Sequence, residues 1–190
     1  MRTKRTLFLI EVAIFTALAL MLDLVPFLSF KIWAQGGSIS LAMIPIFIVA
    51  FRWGLKGGLL SGFLWGVLQV AVGSAYILVP WQGVLDYGVA FTVIGFAGVF
   101  AKRIQRAVKE GNTKRSLAYI MAGVFLGSIL RFAAHFAAGV VFFGSAIDGM
   151  NVWIYSLLYN SSYILPSFVI CTIGIFFLFN KQPKTLLSAA

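Results

Sequence analysis

Long apolar runs separated by short basic gaps fill this chain from residue 7 to residue 179, and that alternation limits what it can become. Hydrophobic residues make up 61% of the chain and charged residues only 11%. A soluble domain carries about 25% charged residues, so this much apolar surface requires a bilayer. Inside hydrocarbon every backbone polar group must be satisfied by the chain itself, which leaves helices or a closed barrel. Barrel strands alternate polar and apolar residues, whereas these runs are unbroken, so they predict helices. At about 20 residues per span, the length accommodates six spans and one domain over residues 1–190.

The spans fall at about residues 7–27, 38–51, 57–75, 84–101, 117–143 and 152–179. The basic start Met1–Arg5 followed by an apolar run mimics a secretory signal, but the run is too long and lacks a small-residue cleavage site. It is read as span one, with Glu11 and Asp23 near its ends, in reach of water or headgroups. Gly36-Gly37 ends the first outer loop, and Ser38 or Ser40 caps span two. Gly57, Gly58, Gly62 and Gly66 form a small-residue stripe on span three, a signal of close helix packing. Ala13 and Ala17 place two small side chains on one face of span one, either for internal packing or for a partner helix.

Basic residues set the orientation. Arg2, Lys4, Arg5, Arg52, Lys56, Lys102, Arg103, Arg106, Lys109, Lys114, Arg115, Lys181 and Lys184 fall on one side of a six-helix arrangement, and the opposite side has only Lys31. The expectation is therefore an all-α integral membrane protein with six transmembrane helices and both termini cytoplasmic. The net charge of +10 would suggest nucleic acid in a soluble protein, but here topology accounts for it. A single cysteine, Cys171, excludes an intrachain disulfide and a multi-cysteine metal site. There is no Gly-rich phosphate loop, no cluster of metal ligands and no obvious nucleophile–base pair. No catalytic residue, metal or cofactor is assigned.

The scarce polar residues are the informative ones. Asp86, Tyr76 and Tyr87 lie in a stretch without Lys or Arg at the outer end of span four. A carboxylate there is costly unless paired or used. At 1.5 Å per residue, His135 lies about two turns below the outer end of span five, and Asn160 lies at a similar depth in span six. Three helices thus bring polar groups to one layer, which a flat cationic ligand would suit: rings attract cations and a carboxylate pairs with them. Asp86 could instead neutralise Arg131, which shares a helix face with His135. Asn160 could bond another helix, and Trp33 could anchor the interface or roof the site.

An ordered set of short segments adds a resemblance. Gln35-Gly-Gly-Ser-Ile-Ser-Leu-Ala-Met-Ile-Pro-Ile, Phe51-Arg-Trp-Gly, Leu85-Asp-Tyr, Gly95-Phe-Ala-Gly, Arg131-Phe-Ala-Ala-His and Tyr155-Ser-Leu-Leu-Tyr-Asn resemble the thiamine-specific substrate-binding (S) component of energy-coupling factor transporters. The resemblance implies a six-helix subunit that binds thiamine tightly near the outer face of a bacterial plasma membrane. It implies a transmembrane coupling subunit, met through Ala13 and Ala17, and two ATPase subunits that hydrolyse ATP. It implies ligand contacts from Trp33, Gln35, Tyr76, Asp86, His135, Phe143, Tyr155 and Asn160, with Arg131 and Tyr87 behind them. Asp86 stands where the family has a longer Glu, and Phe143 where some members have Trp. Stand-alone secondary transport of another cationic or aromatic solute, and a structural subunit without a ligand, are the competing readings.

Overall fold

The computed structural model describes residues 2–33 and 36–183. Five long helices dominate: α1 (Arg2–Leu24), α2 (Met43–Ala71), α3 (Pro80–Lys109), α4 (Thr113–Phe143) and α5 (Val152–Lys181). Each is long and apolar enough to cross a bilayer. Two short strands, β1 (Ser29–Trp33) and β2 (Gly36–Ser40), form an antiparallel hairpin between α1 and α2.

The hairpin replaces part of an expected helix. Ser38 and Ser40 lie in β2 rather than capping span two; α2 begins at Met43, and the Ser40 hydroxyl accepts from the Ala42 amide at 3.3 Å. Small polar residues after Gly-Gly serve a strand end as readily as a helix start. The basic segment after residue 101 is also more ordered than expected. α3 continues through it to Lys109, a turn with Gly111 at φ 67° follows, and Asn112 caps α4 by accepting from the Arg115 amide.

α2 is two rods. Gly54 has φ 73° and ψ −162°, a conformation that ends the first limb. A Cβ on Gly58 would lie 2.8 Å from Cβ of Ala50, eight residues earlier. A continuous helix would separate them by about 12 Å, so the chain doubles back. The carbonyls freed at the break are taken up by Gln105, whose Nε2 donates to Phe51 O at 2.7 Å and Arg52 O at 3.1 Å. The span boundary read at Arg52–Lys56 is this reversal.

The second limb packs along α3 with almost no side chain between them. A Cβ on Gly66 would strike Tyr87 O, one on Gly62 would strike Phe91 O, and one on Gly95 would strike the backbone of Gly58. Gly58, Gly62 and Gly66 of the stripe therefore form a backbone-to-backbone seam with α3, while Gly57 faces Trp53, Val49 and Phe8. α3 tightens to a 3-10 helix over Val93–Phe100, which aligns Gly95 and Gly98 at i, i+3 on this seam.

Contacts fix the directions. Thr16 bonds Ser61 at 2.8 Å and Asp23 bonds Gln69, so α1 runs parallel to the second limb. Gly123 and Gly127 of α4 back onto Ala97 and Ile94 of α3 in antiparallel order. Ser156 of α5 donates to Phe136 O of α4 at 2.9 Å. Phe51 meets Phe179 while Ile44 meets Gly174, so the first limb runs parallel to α5. Among the described residues, six rods alternate in direction.

Glu11 is held by partners inside the bundle rather than standing free near the helix end. Arg52 holds it with two bonds, Nη2–Oε1 2.6 Å and Nε–Oε2 2.8 Å, and the Trp53 indole donates to Oε2 at 2.7 Å. The side chains are 15% and 6% exposed. Removing either partner would break a buried, doubly bonded ion pair, a loss of about 3–5 kcal/mol.

Candidate functional site

The first limb of α2 spans only residues 43–53, about 16 Å of helix, half of what a bilayer core needs. Ile44 sits beside Gly174 of α5, while Gly37 of the hairpin sits beside Tyr163, eleven residues earlier on α5. The hairpin thus occupies the level where the missing turns of that limb would lie. Beneath it is a cavity of about 630 Å³, within the range that takes a small molecule.

Asp86 lies in the cavity wall and is 8% exposed. It sits in a π-helical turn, Val84–Val89, where the wider backbone turn rotates side chains away from regular α spacing. Gln82 Nε2 donates to Asp86 Oδ2 at 2.6 Å, and His135 Nδ1 lies 2.8 Å from Oδ1. Gln82 is itself held by the loop before α3: its Oε1 accepts from the Leu78 amide at 2.9 Å and its Nε2 donates to Tyr76 O at 3.2 Å. Arg131 does not bond Asp86. Its Nε donates to His135 Nε2 at 3.2 Å, and its guanidinium stands 4.6 Å from the centre of the Phe91 ring and 5.3 Å from that of Trp65.

This chain of bonds assigns the imidazole. Arg131 has only donors, so His135 Nε2 must accept, and Nδ1 carries the proton it gives to Asp86. The histidine is neutral in this arrangement. Among the described residues, Asp86 therefore has neutral donors on two sides and no cation in direct contact.

The opposite wall comes from α5. Tyr155, Tyr159 and Tyr163 recur every fourth residue and line the cavity together with Asn160. Asn160 is 1% exposed and fully engaged within its own helix: Nδ2 donates to Ser156 O at 2.9 Å, and Oδ1 accepts from Tyr163 at 2.6 Å. It bonds no other helix. Phe143, at the end of a second π-helical turn, Gly139–Phe143, stacks on Tyr76 with ring centres 6.1 Å apart. The Tyr87 hydroxyl accepts from the Tyr76 amide at 2.8 Å, fixing the loop that carries that ring.

Of the residues singled out from sequence, Tyr76, Asp86, His135, Phe143, Tyr155 and Asn160 line the cavity, as do Tyr87 and Arg131. Trp33 stands outside the lining. Its indole donates to Ser162 Oγ at 2.9 Å and its ring leans on Tyr159 at 5.4 Å, so it backs a wall residue. Gln35 lies outside the described residues. Ala13 and Ala17 are exposed on α1, beside the buried Val12, Thr16 and Ala19.

Sequence reasoning missed Asp23, Gln69, Tyr159 and Tyr163 as cavity residues. Asp23 and Gln69 line the cavity and bond each other across α1 and α2; Gln82 sits behind Asp86. The four-residue spacing of the tyrosines, and amides placed inside apolar runs, were the signals available for them.

A bundle of apolar helices closed around a polar cavity of this size defines a polytopic membrane protein with room for one small organic molecule. A family model described as "Thiamine transporter protein" matches residues 9–187. A protein of Bacillus subtilis (strain 168) named thiamine transporter ThiT is 47% identical over 190 residues, 98% of this chain and 97% of that one. One of the same name from Lacticaseibacillus paracasei is 33% identical over 185 residues, 95% of this chain and 90% of that one. A solved structure of ThiT from Listeria monocytogenes matches with a TM-score of 0.90 at 34% identity, over 97% of this chain and 99% of that one. The chain belongs to the thiamine transporter (Thia_YuaJ) family. It is a multi-pass membrane protein of a transport family, not an enzyme, and its named relatives are bacterial.

With one histidine in the chain, nitrogen NMR of 15N-histidine-labelled protein without ligand reads His135 alone. The expected spectrum at neutral pH is a neutral ring with the proton on Nδ1. A ring protonated on Nε2, alone or with Nδ1, contradicts the bond chain described above.

Proposed function

We propose that this chain, residues 1–190 as one domain, binds thiamine in the cavity and serves as the substrate-binding subunit of an energy-coupling factor importer. The observation that carries the reading is the Asp86 carboxyl group in the cavity wall, held by Gln82 and His135 among aromatic rings. Thiamine joins a flat, positively charged thiazolium ring to an aminopyrimidine ring through a methylene bridge. In this reading Asp86 offsets the positive thiazolium, and Tyr76, Phe143 and Tyr155 present ring faces to it. His135 and Asn160 hold neighbouring groups in place, with Arg131 fixing the imidazole and Tyr87 the Tyr76 loop. Trp33 acts at one remove by backing Tyr159. Asp86 already bonds Gln82 and His135, so it serves the ligand mainly as a fixed charge and through its remaining lone pairs.

The same reading takes the six alternating rods as six spans with both termini cytoplasmic. The first limb of α2 is short because the hairpin and cavity complete that column on the outer side. Lys56, Lys102, Arg103, Arg106 and Lys109 then fall at the cytoplasmic end, in line with the positive-inside bias. The exposed Ala13/Ala17 face of α1 is the surface for a transmembrane coupling subunit, whose two ATPase partners supply the energy. Single cysteines introduced at Ala146 and at Gly111 test the orientation with an impermeant thiol reagent on intact cells. Labelling at Ala146 and not at Gly111 is expected; the reverse pattern contradicts it.

Thiamine titration by calorimetry on purified protein tests the site. Asp86→Ala and Asn160→Ala should each weaken binding, the former about a hundredfold, since a bond to a charged group contributes ~1.5–3 kcal/mol. Unchanged affinity in both variants would sink the proposed site. Thiamine uptake into vesicles holding this chain alone, with no ATPase, would favour a stand-alone transporter instead.

A further inference from the structure

Asp23 is a second carboxylate in the cavity wall, and the roles above give it no task. It sits in the last turn of α1, and no cation lies within ion-pair distance of it among the described residues. Three neutral donors surround it instead. Oδ1 accepts from Ser29 Oγ on β1 at 3.2 Å and from Ser38 Oγ on β2 at 3.3 Å, and Oδ2 accepts from Gln69 Nε2 near the end of α2. One charged group thus grips both strands of the hairpin and ties them to a helix end. The two serine bonds are long for O–H···O bonds, so the junction holds the strands by the convergence of three donors on one carboxylate.

The tie continues. Ser74, in the loop after α2, donates to Gln69 Oε1 and also to Gln69 O at 3.0 Å. Two residues further on is Tyr76, whose carbonyl is bonded by Gln82, which in turn bonds Asp86. The hairpin is therefore joined to the Asp86 wall through hydrogen bonds and a few residues of backbone. On its far side it is held by Trp33, which bonds Ser162 and leans on Tyr159, and by the contact of Gly37 with Tyr163.

We propose that Asp23 is a positioning residue that fastens the β1–β2 hairpin over the cavity through Ser29 and Ser38, and so sets the rate at which bound ligand leaves. The proposal rests on the reading that thiamine occupies this cavity. Asp23→Asn keeps the size and removes the charge. Its amide also turns one acceptor into a donor that faces other donors. Ser29→Ala/Ser38→Ala keeps Asp23 and removes its grip on the strands, and serves if the Asn variant folds poorly.

Two measurements on the purified full chain decide it. Hydrogen exchange without ligand should be faster at the hairpin amides of both variants, with the α3–α4 core unchanged. Stopped-flow tryptophan fluorescence with thiamine should show the off-rate raised about tenfold and the on-rate changed by less than about threefold. A merely structural role would lower the melting temperature and the fraction of competent protein while leaving the off-rate as in wild type. An unchanged off-rate, or hairpin exchange equal to wild type, overturns the proposal. If the wild-type protein fails to bind thiamine, the functional reading falls, and the exchange comparison alone judges the latch.

Discussion

A charged carboxylate inside an apolar bundle persists only where the protein supplies donors, and the cavity is organised around meeting that demand for Asp86. Gln82 reaches it from the same helix, one turn away. His135 reaches it from α4 and is oriented by Arg131 one turn further along. Arg131 in turn rests on the faces of Phe91 and Trp65, which accept part of its charge without a carboxylate in contact. The arrangement separates the two opposite charges by one neutral imidazole. A direct Asp86–Arg131 pair would cancel the field in the cavity; the relayed arrangement leaves the carboxylate side of it electronegative.

Backbone geometry makes the room. Gly54 reverses the chain after eleven residues of helix, and the hairpin fills the column the short limb leaves. The second limb then lies so close to α3 that only glycines fit at Gly58, Gly62, Gly66 and Gly95. That seam fixes α3 as a rigid support for Asp86, while the two π-helical turns, Val84–Val89 and Gly139–Phe143, re-aim the side chains that face inward. Rigid helices thus carry the charge network, and a hairpin held by side-chain bonds covers it.

Much of this was legible in the residues. Apolar length and the placement of Lys and Arg gave the helices and their alternation, because both follow from one-dimensional constraints on a chain in lipid. The Gly57–Gly66 stripe signalled a close seam, and the depth of Asp86, His135 and Asn160 signalled a common layer. The hairpin was not legible. Ser38 and Ser40 after a Gly-Gly pair satisfy the local rules for a helix cap and for a strand alike, and only the truncated first limb of α2 decides between them. The partners of Glu11 and Asp23 were not legible either, because spacing gives depth but not rotation about the helix axis. Their partners, Arg52 and Gln69, are 41 and 46 residues away and are set by packing of α1 against α2. Trp33 was read as a possible roof, yet its neighbours Ser162 and Tyr159 are fixed by how the hairpin lies on α5.

The central claim is that an ionised carboxylate faces the cavity to hold a flat positive ring. Deazathiamine, in which a neutral thiophene replaces the thiazolium while the methylene bridge and aminopyrimidine are kept, separates charge from shape. Competition calorimetry of the two on the purified protein should show thiamine bound at least about a hundredfold more tightly, the equivalent of ~2.7 kcal/mol. Equal affinities for the cation and the neutral ring system would contradict the account.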